Sequence, residues 1–195
     1  MNSLIIDSAT KTLYIAIVSD DKLVFESYLE GRNDHAKNIV KTIEDGLKAS
    51  KLDVNDLNEV VVGVGPGSYT GCRMAVTVGK MFTMMPNVKL CKVSTLKLIS
   101  SSKKGVVLSR ISAKHDNYFA SIYDTNKNEF VLNEGFYNLE EINKYQYTED
   151  VTDEEFKVDY KEVLKAKEEV INPDLLVPNY LRDTEAERNL NDKKI

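Results

Sequence analysis

Residues 60–80 read VVVGVGPGSYTGCRMAVTVGK, an apolar strand that passes through a glycine and proline loop directly into a helix. The run of β-branched residues Val60, Val61, Val62 and Val64 suits a strand covered on both faces, which calls for a layered α/β fold. Pro66 fixes φ at the second position of a turn, and Gly67 supplies the positive φ that a type II turn needs next. Ser68 or Thr70 is then placed to cap the helix. A glycine loop that feeds the positive end of a helix has the form of an anion site. Its register, however, fits no standard loop. Gly79 and Lys80 fall inside the helix and are followed by Met81, Thr70 stands where a dinucleotide fingerprint has its third glycine, and Ser68 directly follows a glycine. The segment reads either as a phosphate cradle or as a tight strand-to-helix turn without a ligand.

Around it, the chain alternates strands and helices. Ser3–Ile6, Thr12–Val18 and Lys22–Leu29 read as an antiparallel meander. A helix capped by Asn33 or Asp34 runs to about Ser50, with Ala36, Ile39, Val40, Ile43 and Leu47 on one stripe. The glycine-loop helix is expected over 71–85 and is stopped by Pro86. Val88–Val93 is a strand, and Ser94 caps a short helix to about Ser101. The order β-β-β-α-β-α-β-α is that of a ribonuclease-H-like unit, a mixed sheet of three antiparallel and two parallel strands. SSSKK at 100–104 is small and polar, so the boundary is placed to give units of 1–102 and 103–195. The second unit begins with another meander (Val106–Ile111, Tyr118–Tyr123, Glu129–Phe136). A helix at Asn138–Lys144 follows, then an acidic, weakly helical stretch at Val151–Val170, an extended tail at Pro173–Arg182 and a fraying last dozen residues. It reads as a reduced copy of the first.

The bulk properties narrow the function. A net charge of −5 over 195 residues argues against a dedicated nucleic-acid groove, which needs a basic stripe. No apolar run approaches the roughly 18 residues of a membrane span, and Met1 leads at once into a strand; a cytoplasmic protein with no membrane association is expected. Cys72 and Cys91 lack metal-ligand spacing and read as free buried thiols, and His35 and His115 have no ligand partners at usable spacing. No metal site and no serine-histidine-aspartate triad is expected. Asp7 ends the first strand, where actin-type and sugar-kinase-type enzymes place a carboxylate near a magnesium-bound phosphate. Ser8, Ala9, Thr10 and Lys11 follow it with no glycine, and their Cβ atoms limit close approach of a phosphate. Asp7 can equally well serve its own turn.

The glycine-loop helix has two apolar sides. Cys72, Ala75, Val76, Gly79 and Thr83 form a small one suited to a sheet, and Met74, Val78, Met81, Phe82 and Met85 form a bulky, adaptable one. One sheet covers one side. The other meets the Ile39 helix, a second chain or solvent.

LIIDSAT at 4–10, GRNDHAKNIV at 31–40, GPGSYTG followed by Arg73, VSTL at 93–96 and PNYLR at 178–182 together resemble, in order and spacing, the TsaB (YeaZ) family of the bacterial machinery for threonylcarbamoyladenosine in tRNA. The resemblance implies an actin, Hsp70 and sugar-kinase type of fold with one full unit and a reduced second one. It implies a non-catalytic role, in which the chain pairs with a TsaD-like threonylcarbamoyltransferase, with a TsaE-like ATPase joining and tRNA met only through the complex. Nucleotide and metal are then expected on the partner subunits, with none of its own here. The family's dimer contact is a bundle of its two main amino-terminal helices, which maps to His35, Ile39, Ile43, Met74, Val78, Met81 and Met85, a face that also suits a homodimer. Asp7, Gly65, Gly67 and Ser68 remain the nucleotide-proximal candidates. They would matter most to the competing reading, a small ATPase or kinase of the same superfamily. Proteolysis, suggested by an older family name, lacks a nucleophile constellation.

Overall fold

The computed structural model describes residues 1–31 and 35–181. In chain order the elements are β1 (Asn2–Asp7), β2 (Thr12–Ser19), β3 (Lys22–Glu30), α1 (His35–Ala49), β4 (Glu59–Gly63), α2 (Tyr69–Phe82), β5 (Lys89–Val93) and α3 (Thr95–Ser100). They are followed by β6 (Val106–Ser112), β7 (Asn117–Asp124), β8 (Glu129–Asn138), α4 (Leu139–Ile142), β9 (Glu149–Thr152), α5 (Tyr160–Ala166) and β10 (Glu168–Glu169). The proposed caps Asn33 and Asp34 and the final dozen residues lie outside the described residues.

The first sheet has the order β10-β5-β4-β1-β2-β3, with β1, β2 and β3 antiparallel and β1, β4 and β5 parallel. Alternation along the strands gives both faces an apolar set. Leu4, Ile6, Leu13, Ile15, Val60, Val62 and Leu90 pack under α1 and α2 with Ile39, Ile43, Ala75 and Val76. Ile5, Tyr14, Ala16, Val61, Cys91 and Val93 pack on the opposite side with Leu96 and Ile99 of α3, Val107 and Ile111 of β6 and Val163 of α5. The unbroken valine run of β4 thus follows from its place between two covered faces. The second sheet, β8-β7-β6-β9, is smaller and buries Leu108, Ala120, Ile122 and Leu132 against Ile142 of α4.

Several sequence expectations change, the glycine-loop helix among them, which spans Tyr69–Phe82 rather than 71–85. The stretch at Val151–Val170 is not a helix: Val151 lies in β9, parallel to β6, and only 160–166 are helical, capped by the Asp159 carboxylate. Glu168 and Glu169 form a strand on the edge of β5, where their carboxylates meet Lys92 at 3.2 Å and Lys89 at 3.0 Å. The end of the run that reads as helix takes the open backbone edge of β5, with these exposed ion pairs alongside. Ahead of it, Lys167 pairs with Glu59, a buried carboxylate that also accepts from Ser3 Oγ at 2.7 Å. The turn after β4 differs as well, because the Gly65–Pro66 bond is cis and positive φ falls on Gly65 (94°) as well as Gly67 (154°).

The small side of α2 meets the sheet as its residue sizes require. A Cβ on Gly79 would lie 2.5 Å from Val62 Cγ1 and 3.0 Å from Leu90 Cδ1, so the helix rests on β4 and β5 at glycine distance. Gly79→Ala forces the helix off the sheet, and we expect it to cost about 1–3 kcal/mol, measured as a lower urea midpoint with an unchanged m-value. An unchanged midpoint would show that the contact yields freely.

Candidate functional site

Three chain segments converge at the carboxyl ends of β1 and β4. Asp7 ends β1 and is 2% exposed. Its Oδ1 accepts from the Ala9 backbone N–H at 2.9 Å and its Oδ2 from Thr95 Oγ1 at 2.6 Å. The same Thr95 hydroxyl accepts from the Gly65 backbone N–H at 3.0 Å, and the Thr95 N–H returns to the Gly65 carbonyl at 2.9 Å. A Cβ on Gly63 would coincide with the Asp7 carboxylate, so a glycine is required there.

The loop after Asp7 lies against the glycine loop. Ser68 N–H donates to the Ala9 carbonyl at 2.7 Å and Ser8 Oγ donates to the Gly71 carbonyl at 2.7 Å. A Cβ on Gly71 would fall 1.9 Å from the Ser8 carbonyl oxygen. Ser68 is the helix cap, accepting from Gly71 N–H at 3.3 Å. The structure therefore gathers Asp7, Gly65, Gly67 and Ser68 into one region, and backbone and hydroxyl groups of the same chain occupy the space between them. Thr95, which the sequence reading passed over, is the hub of the arrangement. Ser94, expected to cap α3 with its side chain, makes no capping bond.

The carboxyl-terminal tail closes over this region. Asn179 N–H donates to the Val64 carbonyl at 2.7 Å, and Tyr180 stacks on Tyr69 with ring centroids 5.0 Å apart. Arg73, one turn along α2, donates to Tyr69 Oη at 2.7 Å. His35 Nε2 lies 3.3 Å from the Thr10 carbonyl, fixing the start of α1 to the same loop.

The second feature is a groove between α1 and α2. It encloses about 230 Å³ and is lined by Val40, Ile43, Val78, Met81, Phe82 and Met85. Ile43 and Val78 form its buried floor, whereas Met81 is 60% and Val40 63% exposed. Met74 and Phe82 pack partly into the core. Ile39 offers no surface to a partner: it is 2% exposed, its side chain joining the core under the first sheet, and Val40 beside it takes the outward position. Val40 belongs to the sequence stripe of that helix. Only its exposure assigns it to the groove.

Among the described residues, no group of three or more histidine, cysteine, aspartate or glutamate side chains could hold a metal ion, and no helix is long and apolar enough to cross a membrane.

A mixed sheet with this strand order, repeated in reduced form and carrying paired strand-end loops, defines an actin-like α/β protein whose loops are packed on one another. A family model described as "TsaD: tRNA N6-adenosine threonylcarbamoyltransferase" matches residues 30–167. The tRNA threonylcarbamoyladenosine biosynthesis protein TsaB of Bacillus subtilis is 26% identical over 126 residues, 63% of this chain and 55% of that protein. Its Escherichia coli counterpart is 28% identical over 133 residues, 66% of this chain and 57% of that protein. The matched stretch thus spans little more than half of either relative. In fold, the chain is similar to YeaZ from Pseudomonas aeruginosa, with a TM-score of 0.73 at 15% identity over 92% of this chain and 99% of that one. A second solved structure, described as an uncharacterized protein with similarity to peptidase YEAZ from the same organism, gives 0.75 at 17% identity over 93% and 99%. The chain belongs to the family described by this TsaD model and is similar, in sequence and in fold, to its TsaB (YeaZ) members.

Burial raises the Asp7 carboxyl to about 6 from 3.8, against the hydrogen bonds from Thr95 and Ala9. The folded state holds this proton more tightly than the unfolded chain. The group's contribution is therefore most favourable below pH 3.8 and falls as pH rises through about 6, by about 3 kcal/mol in all. Asp7→Asn removes that slope. The stability gap between variant and wild type, from urea melts at pH 4 and pH 7.5, is expected to shift toward the variant by about 2–3 kcal/mol at the higher pH; parallel curves would contradict the burial account.

Proposed function

We propose that the chain is a non-catalytic subunit that docks on a TsaD-like threonylcarbamoyltransferase and supports formation of threonylcarbamoyladenosine in tRNA. The open apolar groove between α1 and α2 carries this reading. Exposed methionine and valine side chains above a buried floor of Ile43 and Val78 suit a helical partner, since methionine adapts its shape to a facing helix. The relatives' name supports the process.

The packed strand-end loops support a role without chemistry of its own. Both Asp7 oxygens and the Ala9 carbonyl are engaged internally, so the groups that would face a phosphate serve the fold. Nucleotide and metal belong to the partner subunits in this reading. A TsaE-like ATPase joins them, tRNA is met only through the complex, and the assembly works in the cytoplasm.

The test is co-purification with the TsaD-like paralogue of the same cell. Val40→Glu and Met81→Glu alter exposed side chains and should leave the circular dichroism melt unchanged. Each places an unpaired charge in a closed apolar contact, so affinity should fall at least about a hundredfold. Undiminished pairing by both folded variants would remove the groove from the interface. Self-association through the groove would appear as a homodimer in sedimentation that the same substitutions dissolve.

A further inference from the structure

The groove between α1 and α2 has a charged border, and its sign is opposite to that of the chain. The whole chain carries a net charge of −5. On the two groove helices the balance reverses: α1 holds Lys37, Lys41 and Lys48 against Glu44 and Asp45, and α2 holds Arg73 and Lys80 with no acidic residue, which leaves the pair at +3. Some of these charges are already engaged. Lys48 reaches Glu44 at 2.6 Å, one turn back, and Lys80 donates to the Asp174 carbonyl at 3.0 Å. Lys37, Lys41 and Arg73 are exposed and form no ion pair with any described residue. Arg73 donates to the Tyr69 hydroxyl, a neutral partner that leaves its charge uncompensated.

The placement of these three cations matters as much as their number. At about 100° per residue, Lys37 stands about 60° and Lys41 about 100° round α1 from Val40, the exposed lip of the groove, whereas Asp45 stands about 140° away. Arg73 lies two turns before Met81 on the same i, i+4 ridge of α2. Cations thus border the apolar lip on both helices, and the acid without an ion pair is turned aside. Charges at the border of a contact stay close to water and add little affinity one by one, but together they steer the approach of a partner and set which partner is accepted. A second copy of this chain would bring the same cations against themselves. RNA would meet the cations and leave Val40 and Met81 in water. A helix with acids beside its apolar stripe satisfies both.

Given the groove as the docking site proposed above, we infer that it selects an amphipathic helix whose apolar stripe is bordered by glutamate or aspartate, and that Lys37, Lys41 and Arg73 are the residues that read those acids.

The experiment uses the isotope-labelled full chain and two synthetic amphipathic helices that share one leucine and methionine stripe, one bordered by glutamate and the other by lysine. At about 0.1 M salt the glutamate peptide should bind about tenfold more tightly, with amide shifts at residues 37–44 and 73–85. The preference should shrink to about twofold at about 1 M salt, where the screening length falls from about 10 Å to about 3 Å. Lys37→Glu combined with Lys41→Glu changes two exposed side chains and should abolish or reverse the preference while the folded spectrum is kept. Equal affinities at low salt, a preference that salt leaves unchanged, an unaltered preference in the double variant, no shift at these residues with either peptide, or equivalent shifts there on adding bulk tRNA would each overturn the inference. Failure of co-purification with the TsaD-like paralogue would count against that enzyme as the partner and leave the peptide result to decide the preference by itself.

Discussion

The Thr95 hydroxyl holds the carboxyl ends of the parallel strands together. It donates to Asp7 at the end of β1 and accepts from Gly65 beyond β4, while its own N–H returns to the Gly65 carbonyl. A buried carboxylate is costly unless its lone pairs are met, and one threonine meets the need of Asp7 and of the turn's backbone together. The turn so fixed sets the direction in which α2 leaves. That direction in turn brings Gly79 onto β4 and leaves the methionine side of the helix looking toward α1.

Much of this is written in residue pattern. The meander β1 to β3, the valine strand, the capped helix after it and the two-faced character of α2 all follow from period and turn chemistry, because local preference and tertiary burial agree there. Five short segments carry the resemblance to the TsaB (YeaZ) family. Other features depend on contacts that no local pattern carries. Val151 is a strand residue because β6 offers it a parallel partner, and Glu168 and Glu169 are extended because the free edge of β5 offers them antiparallel partners at Lys92 and Cys91. Thr95 stands one residue past the expected cap, Ser94, and its importance rests on partners 30 and 88 residues away. Ile39 and Val40 are adjacent on one stripe, and only the tilt of α1 on the sheet decides which turns outward.

The strand-end loops and the groove lie at opposite ends of α2 and differ in kind. Around Asp7, glycines at 63 and 71 let backbone come so close that the chain fills its own concavity. At the far end of the helix, large flexible side chains keep a concavity open. One helix begins in a region saturated with internal hydrogen bonds and ends in one with unspent apolar surface. This division fits a protein that works by association.

The pairing of β10 with β5 has a consequence for how the chain is made. Residues 168 and 169 are the last to join the first sheet, and Lys167 reaches back over 108 residues to Glu59. Until that part of the chain has left the ribosome, the hydrogen-bonding edge of β5 stands open, the condition in which nascent sheets pair with the wrong strand. Lys89 and Lys92 place positive charge along this edge, and both are paired once Glu168 and Glu169 occupy it.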